Sequence, residues 1–215
     1  MKLQRSGLSA GIALTATLAL TACGSDNEAA GDSAGASAAA SNCAGGSLTA
    51  QGSSAQKNAM AEWIKTYQGQ CTDAKISYEG TGSGAGIQAF IAGTADFAGS
   101  DSALKDDEQP QADAKCPGGQ ALNLPMVIGP IAVVYNLDGV DGLQLDAPTL
   151  AKIFAGKITK WNDPAIAAQN SGAKLPATAI ATIHRSDESG TTDNFTKYLS
   201  KTAEADWTFD HAKAW

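Results

Sequence analysis

The chain has 215 residues, 43% hydrophobic and 17% charged, with 6% aromatic and a net charge of −7. That length suits one or two globular domains. The acidic balance excludes a nucleic-acid partner, because a phosphate backbone demands basic surface. It does not exclude a small anion, since a buried site feels local dipoles and single cations while distant surface carboxylates are screened.

Residues 1–22 read as an export signal. Lys2 and Arg5 give a positive start, and residues 8–20 give an apolar core too short to span a bilayer comfortably. Leu20-Thr21-Ala22-Cys23 then resembles a bacterial lipobox, which predicts cleavage before Cys23 and lipid attachment to it. The chain is then expected to be anchored to the outer face of a membrane rather than to span it. Residues 24–42 are Gly, Ala, Ser, Asp, Asn and Glu, which cannot bury enough apolar area to order themselves. Residues 23–46 are thus expected to form a lipidated cysteine and a tether.

After Cys23 three cysteines remain, Cys43, Cys71 and Cys116. An exported chain sits where disulfides persist. Cys43 precedes the first strand and Cys71 follows the first helix, so a bridge between them is geometrically reasonable, yet three single pairings are open and spacing does not choose. There is no Cys-x-x-Cys, and His184 and His211 form no ligand cluster, so neither a metal nor a cofactor is expected.

Residues 47–50 form a strand candidate, followed after Ser53-Ser54 by a helix. Ala59, Met60, Trp63, Ile64 and Tyr67 mark one apolar face of that helix, which predicts core packing. Residues 75–78 read as a second strand, and Gly80-Thr81-Gly82-Ser83-Gly84-Ala85-Gly86 as a turn into a short helix with Ile87, Phe90 and Ile91 inward. Residues 97–101 read as a short strand with a polar tip, and 106–114 as a surface helix. The apolar stretch 122–134 is broken by Pro125 and by Gly129-Pro130, which argues against one helix and predicts crossing strands or a strand leading between domains. Residues 150–154 are an amphipathic turn or two stopped near Gly156; Trp161 precedes an Asn162-Asp163-Pro164 turn, and Ile166 and Ala167 open another short helix. Residues 179–183 read as a buried strand, and Phe195, Tyr198 and Leu199 have helical spacing. The alternation predicts an α/β architecture, in which ligands sit outside the carboxyl ends of the strands.

Between the last strand and helix lies Arg185-Ser186-Asp187-Glu188-Ser189-Gly190-Thr191-Thr192. Such a turn offers free N–H groups at the positive end of a helix, which suits an anion. Asp187, two residues from Arg185, can hold the guanidinium. Ser54, Ser83 and Ser189 each stand where a helix begins, and each alone has the ordinary explanation of an N-cap. Asp101 alone is explained as a cap of the following helix. Together these groups supply many donors, one cation and one acceptor.

Five segments carry a more specific resemblance: Gly52-Ser53-Ser54, the Gly80 to Gly86 turn, Gly99-Ser100-Asp101, residues 150–164 (LAKIFAGKITKWNDP), and the Arg185 turn. In order and spacing the chain resembles, from about Ser47 to its last residue, the periplasmic phosphate-binding proteins of high-affinity phosphate ABC importers, the PstS family. The resemblance implies a two-lobed, type II periplasmic-binding-protein architecture closing on one phosphate. Arg185 would contact phosphate oxygens, with Asp187 orienting it. Ser54, Ser83, Ser189 and Thr191 would donate hydroxyl hydrogens, and the N–H groups of Ala55, Gly190 and Thr191 would complete the site. Asp101 would accept a hydrogen bond from the proton phosphate keeps and sulfate lacks, a difference that a buried carboxylate converts into selectivity. The partners implied are inorganic phosphate and the permease and ATPase subunits of an importer.

Two departures stand out. The family's first turn often carries Thr then Phe, where this chain has Ser54 then Ala55, so the hydroxyl and the N–H are kept and aromatic shielding is lost. Family members also continue well past Trp215, so residues 47–127 are expected to be most of lobe one and 128–215 an incomplete lobe two. The competing readings are a binder of another oxyanion, such as sulfate or molybdate, and a secreted phosphatase. The phosphatase is disfavoured because Gly-x-Ser-x-Gly occurs only in the export signal (Gly7 to Gly11) and the tether (Gly31 to Gly35), and because His184, beside the arginine turn, is expected within or just after a strand. Gly84-Ala85-Gly86 is a loose dinucleotide fingerprint without its acidic partner.

Overall fold

A computed structural model describes residues 43–215. The export signal, Cys23 and most of the tether therefore lie outside the described residues. The described elements are β1 (Gly46–Gly52), α1 (Lys57–Gln70), β2 (Ala74–Gly80), α2 (Ser83–Ala92), β3 (Phe97–Gly99), α3 (Gln109–Asp113), α4 (Ala147–Phe154), α5 (Pro164–Gln169) and α6 (Gly190–Thr202). No helix among the described residues is long and apolar enough to cross a membrane.

The three strands form one parallel sheet in the order β2-β1-β3. Parallel neighbours need a crossover, and α1 and α2 supply the two crossovers. The register aligns Gly52 with Gly80 and with Gly99, so three turns leave the sheet at one level. Side chains alternate along β1, with Ala50 and Gly52 buried and Gln51 half-buried between them. α2 approaches the sheet closely because Gly86 has no Cβ; one there would stand 2.5 Å from the Gly52 Cα. That approach sets Ser83, the first residue of α2, beside the ends of β1 and β3. Cys43 and Cys71 form a disulfide at the opposite end of the strands, and Cys116 is a free thiol.

The second half of the chain is helical around two small apolar clusters. Ala151, Leu199, Ala203 and Trp207 join α4 to α6, with Phe154 and Phe195 edge to face against each other. Ile153, Ile158 and Ile166 join α4 to α5. Short helices start where acidic caps and prolines direct them. Asp146 accepts the Thr149 N–H at 2.9 Å ahead of α4, and Asp163 accepts the Ala165 N–H at 2.9 Å ahead of α5. That bond lowers the Asp146 pKa, because the charged carboxylate is the better acceptor.

Three expectations are corrected. Residues 179–183 are not a buried strand: Ala179 makes one antiparallel bridge with Lys160, Ile180 packs on the α4–α5 cluster, and Ile183 is exposed. Residues 122–134 form no strand, and Leu122, Leu124, Met126, Ile128 and Val134 are exposed. A strand exists only beside a partner ladder, and beyond that single bridge no described segment forms a ladder with either stretch. The apolar face of α1 is not core either. The helix buries no residue fully, and Met60, Trp63, Ile64 and Tyr67 instead line an open groove of about 1520 Å³ shared with residues 121–133.

Candidate functional site

Sequence-distant turns meet at the carboxyl ends of the strands. Ser83 is fully buried, and its Oγ accepts the N–H of Asp101 at 3.2 Å and the N–H of Gly190, 107 residues away, at 3.1 Å. Its hydroxyl donates to Asp101 Oδ2 at 3.5 Å. The contact with α6 is possible because residue 190 is glycine: a Cβ there would stand 2.7 Å from both Asp101 Cβ and Ser83 Oγ. The Gly84 N–H donates to the Glu188 carbonyl at 2.9 Å, and the Asp187 carboxylate lies against the Gly82 backbone. The Arg185 turn is thereby seated on the glycine-rich turn before α2.

Arg185 and Asp187 form a two-pronged pair. Arg185 Nε donates to Asp187 Oδ1 at 2.7 Å and Nη2 donates to Oδ2, with both side chains half-buried. The carboxylate fixes the plane of the guanidinium and so the direction of its remaining N–H groups.

The three serines divide. Ser189 is an N-cap, its Oγ accepting the Thr191 N–H at 3.2 Å. Ser83 is not a cap, since α2 has no side-chain cap and Ser83 is turned toward Asp101 and Gly190. Ser54 is not a cap either. Its hydroxyl, like the Ala55 N–H and the Thr191 hydroxyl, has no hydrogen-bond partner among the described residues. Those donors remain uncommitted at the first turns of α1 and α6. Asp101 caps no helix; its carboxylate takes hydroxyl protons from two turns.

The structure therefore joins Ser83, Asp101 and Gly190 directly, sets Arg185 and Asp187 alongside them, and leaves Ser54 and Ala55 outside that hydrogen-bonded network. Three participants were not foreseen. Ser53, buried, donates to Asp101 Oδ1 at 2.5 Å. Tyr78 donates to the Ser53 carbonyl at 2.8 Å, and burial, followed by the charge of Asp101, pushes its phenol up to about 12. Asn194 Nδ2 donates to the Asp101 carbonyl at 2.8 Å and to the Gly190 carbonyl at 2.9 Å, which ties the first turn of α6 to the tip of β3. The one available signal was spacing: Asn194 lies one helical turn beyond Gly190 and so shares its face.

A second polar contact supports the same junction. Lys213, buried, donates to both oxygens of Glu108 at 2.8 and 2.9 Å, and the Lys213 carbonyl accepts the Ser189 N–H at 3.0 Å. Among the described residues no group of three His, Cys, Asp or Glu side chains is arranged to hold a metal ion.

The model of the PBP superfamily domain matches residues 37–215. The chain is 47% identical over 210 residues to phosphate-binding protein PstS 3 of Mycobacterium leprae (strain TN), covering 96% of this chain and 56% of that protein. The chain belongs to the PBP superfamily and, within it, to the PstS family. Phosphate-binding protein PstS 2 of Mycobacterium tuberculosis (strain ATCC 25618 / H37Rv) is 46% identical over 209 residues, with 96% of this chain and 56% of that protein covered. PstS of Pasteurella multocida (strain Pm70) is 44% identical over 156 residues, covering 72% and 43%. This PstS-family chain thus spans about half the length of the curated relatives it matches. A solved ABC-type phosphate transport receptor from Vibrio cholerae is 20% identical with a TM-score of 0.46, covering 71% of this chain and 55% of that one.

Proposed function

We propose that this chain belongs to a solute-binding lipoprotein that captures inorganic phosphate and delivers it to the permease and ATPase of an ABC importer. Phosphate would sit between the turns that follow β1, β2 and β3 and the first turn of α6. The observation that carries the reading is the meeting of Ser83, Asp101 and Gly190, with the Arg185–Asp187 pair beside them. One cation and a set of N–H and O–H donors suit the charge of phosphate, and one carboxylate suits its remaining proton. On binding, Ser54, Ala55, Ser189 and Thr191 would add their donors, and Arg185 would contribute the N–H groups that Asp187 does not use. Residues 47–127 and 128–215 would supply the two sides of the site, and lipid on Cys23 would hold the protein at the outer face of the membrane.

Titration calorimetry with phosphate, sulfate and a phosphate monoester tests this. Phosphate should bind tightly, sulfate weakly, and the ester should release no phosphate. Comparable heats from sulfate and phosphate would overturn the specificity, and hydrolysis of the ester would favour a phosphatase instead.

A further inference from the structure

The two oxygens of Asp101 are held very differently. Oδ1 takes the Ser53 hydroxyl at 2.5 Å, a length found where a hydroxyl donates to a charged carboxylate. Oδ2 takes the Ser83 hydroxyl at 3.5 Å, well beyond the ordinary range for such a bond. Ser53 has no room to retreat. It is 1% exposed, its N–H donates to the Gly99 carbonyl at 2.8 Å, and its carbonyl accepts the Tyr78 hydroxyl at 2.8 Å.

We propose that Ser53 is a positioning residue that makes Asp101 a one-sided reader of the guest's proton, occupying Oδ1 from within and reserving Oδ2 for the guest. The inference rests on the phosphate reading above and extends it to a residue outside the set expected to touch the ligand. The Ser83 oxygen already accepts two N–H groups, and its single proton is the loosely committed part. A guest oxygen can draw that proton away from Oδ2 at little cost. Oδ2 then has no donor, and a guest carrying an O–H group supplies one. A fully deprotonated guest leaves lone pairs facing lone pairs in a half-buried site. Without Ser53 the carboxylate torsion, which is intrinsically broad and two-fold, is free to turn either oxygen or an edge toward the guest, and the selection blurs.

Titration calorimetry on the full chain and its Ser53→Ala, Asp101→Asn and doubly substituted forms, with phosphate and with sulfate, tests the assignment. Ser53→Ala should lower the ratio of phosphate to sulfate affinity by about tenfold, the scale of one hydrogen bond to a charged group. The same substitution in the Asp101→Asn background should leave the ratio unchanged, because Ser53 acts through Asp101. A purely structural Ser53 would shift both affinities together and leave the ratio alone. An unaltered ratio in Ser53→Ala, or an equal shift in both backgrounds, overturns the inference while the phosphate reading stands. Absence of phosphate binding by the unsubstituted chain overturns both. If Ser53→Ala does not fold, Ser53→Cys, with similar volume and a weak donor, carries the same comparison.

Discussion

The polar junction at the strand ends and the apolar groove beside α1 are finished in opposite ways. At the junction Ser53, Ser83, Asp101, Gly190 and Asn194 satisfy one another across up to 107 residues of chain. Along the groove, Trp63, Leu122, Met126 and Ile128 stay exposed although they are the larger and more hydrophobic groups. Hydrogen bonds are directional and close pairwise, so five small groups complete a junction. Apolar burial is proportional to the area covered, so a face remains open until something of matching size lies on it.

The contrast can be probed from its strongest point downward. Glu108→Gln leaves the buried Lys213 ammonium without its counter-charge and should destabilise the fold by about 3–5 kcal/mol in urea unfolding. Unfolding midpoints should separate Ile87→Ala from Ile128→Ala. The first residue is 3% exposed and the second 98%. The first should cost about 2–5 kcal/mol and the second no more than about 0.5 kcal/mol. Equal costs would mean that the groove is closed in solution. Arg185→Ala should weaken phosphate binding by about 100-fold, or about 2.7 kcal/mol, with little change in the unfolding midpoint. The smallest effect concerns alkali. Tyr78 titrates near 12 when folded and near 10 when unfolded, so the folded state holds its proton more tightly. The stability it contributes is complete below about pH 10 and is lost as pH rises toward 12. A Tyr78→Phe variant followed through that window should lack this component of the alkaline loss.

What the sequence disclosed depended on whether the signal was local. The Gly-rich turn before α2 and the polar tip of β3 were readable because glycine and strand alternation act within a few residues. The caps of α4 and α5 have equally local signals in Asp-Pro and in Asp146. Residues 179–183 misled because a short apolar run specifies burial and leaves the partner open; Ile180 found a helical cluster and Ile183 found none. The face of α1 was identified correctly, but periodicity names a side of a helix and not what covers it. Ser53 was passed over in favour of Ser54 because adjacent serines differ only in which way the turn points them. Asn194 depends on a contact 93 residues away that no local pattern encodes.

The disulfide has a practical bearing on how the molecule can be handled. Cys43 and Cys71 close the amino ends of the strands, next to Gly46 and Ala74, whereas the turns that carry Ser53, Ser83 and Asp101 leave from the carboxyl ends. A seven-residue strand separates the two by about 20 Å. A dye, a surface or a fusion partner attached ahead of Cys43 is therefore kept at the far end of the sheet, and immobilised molecules should titrate like free ones.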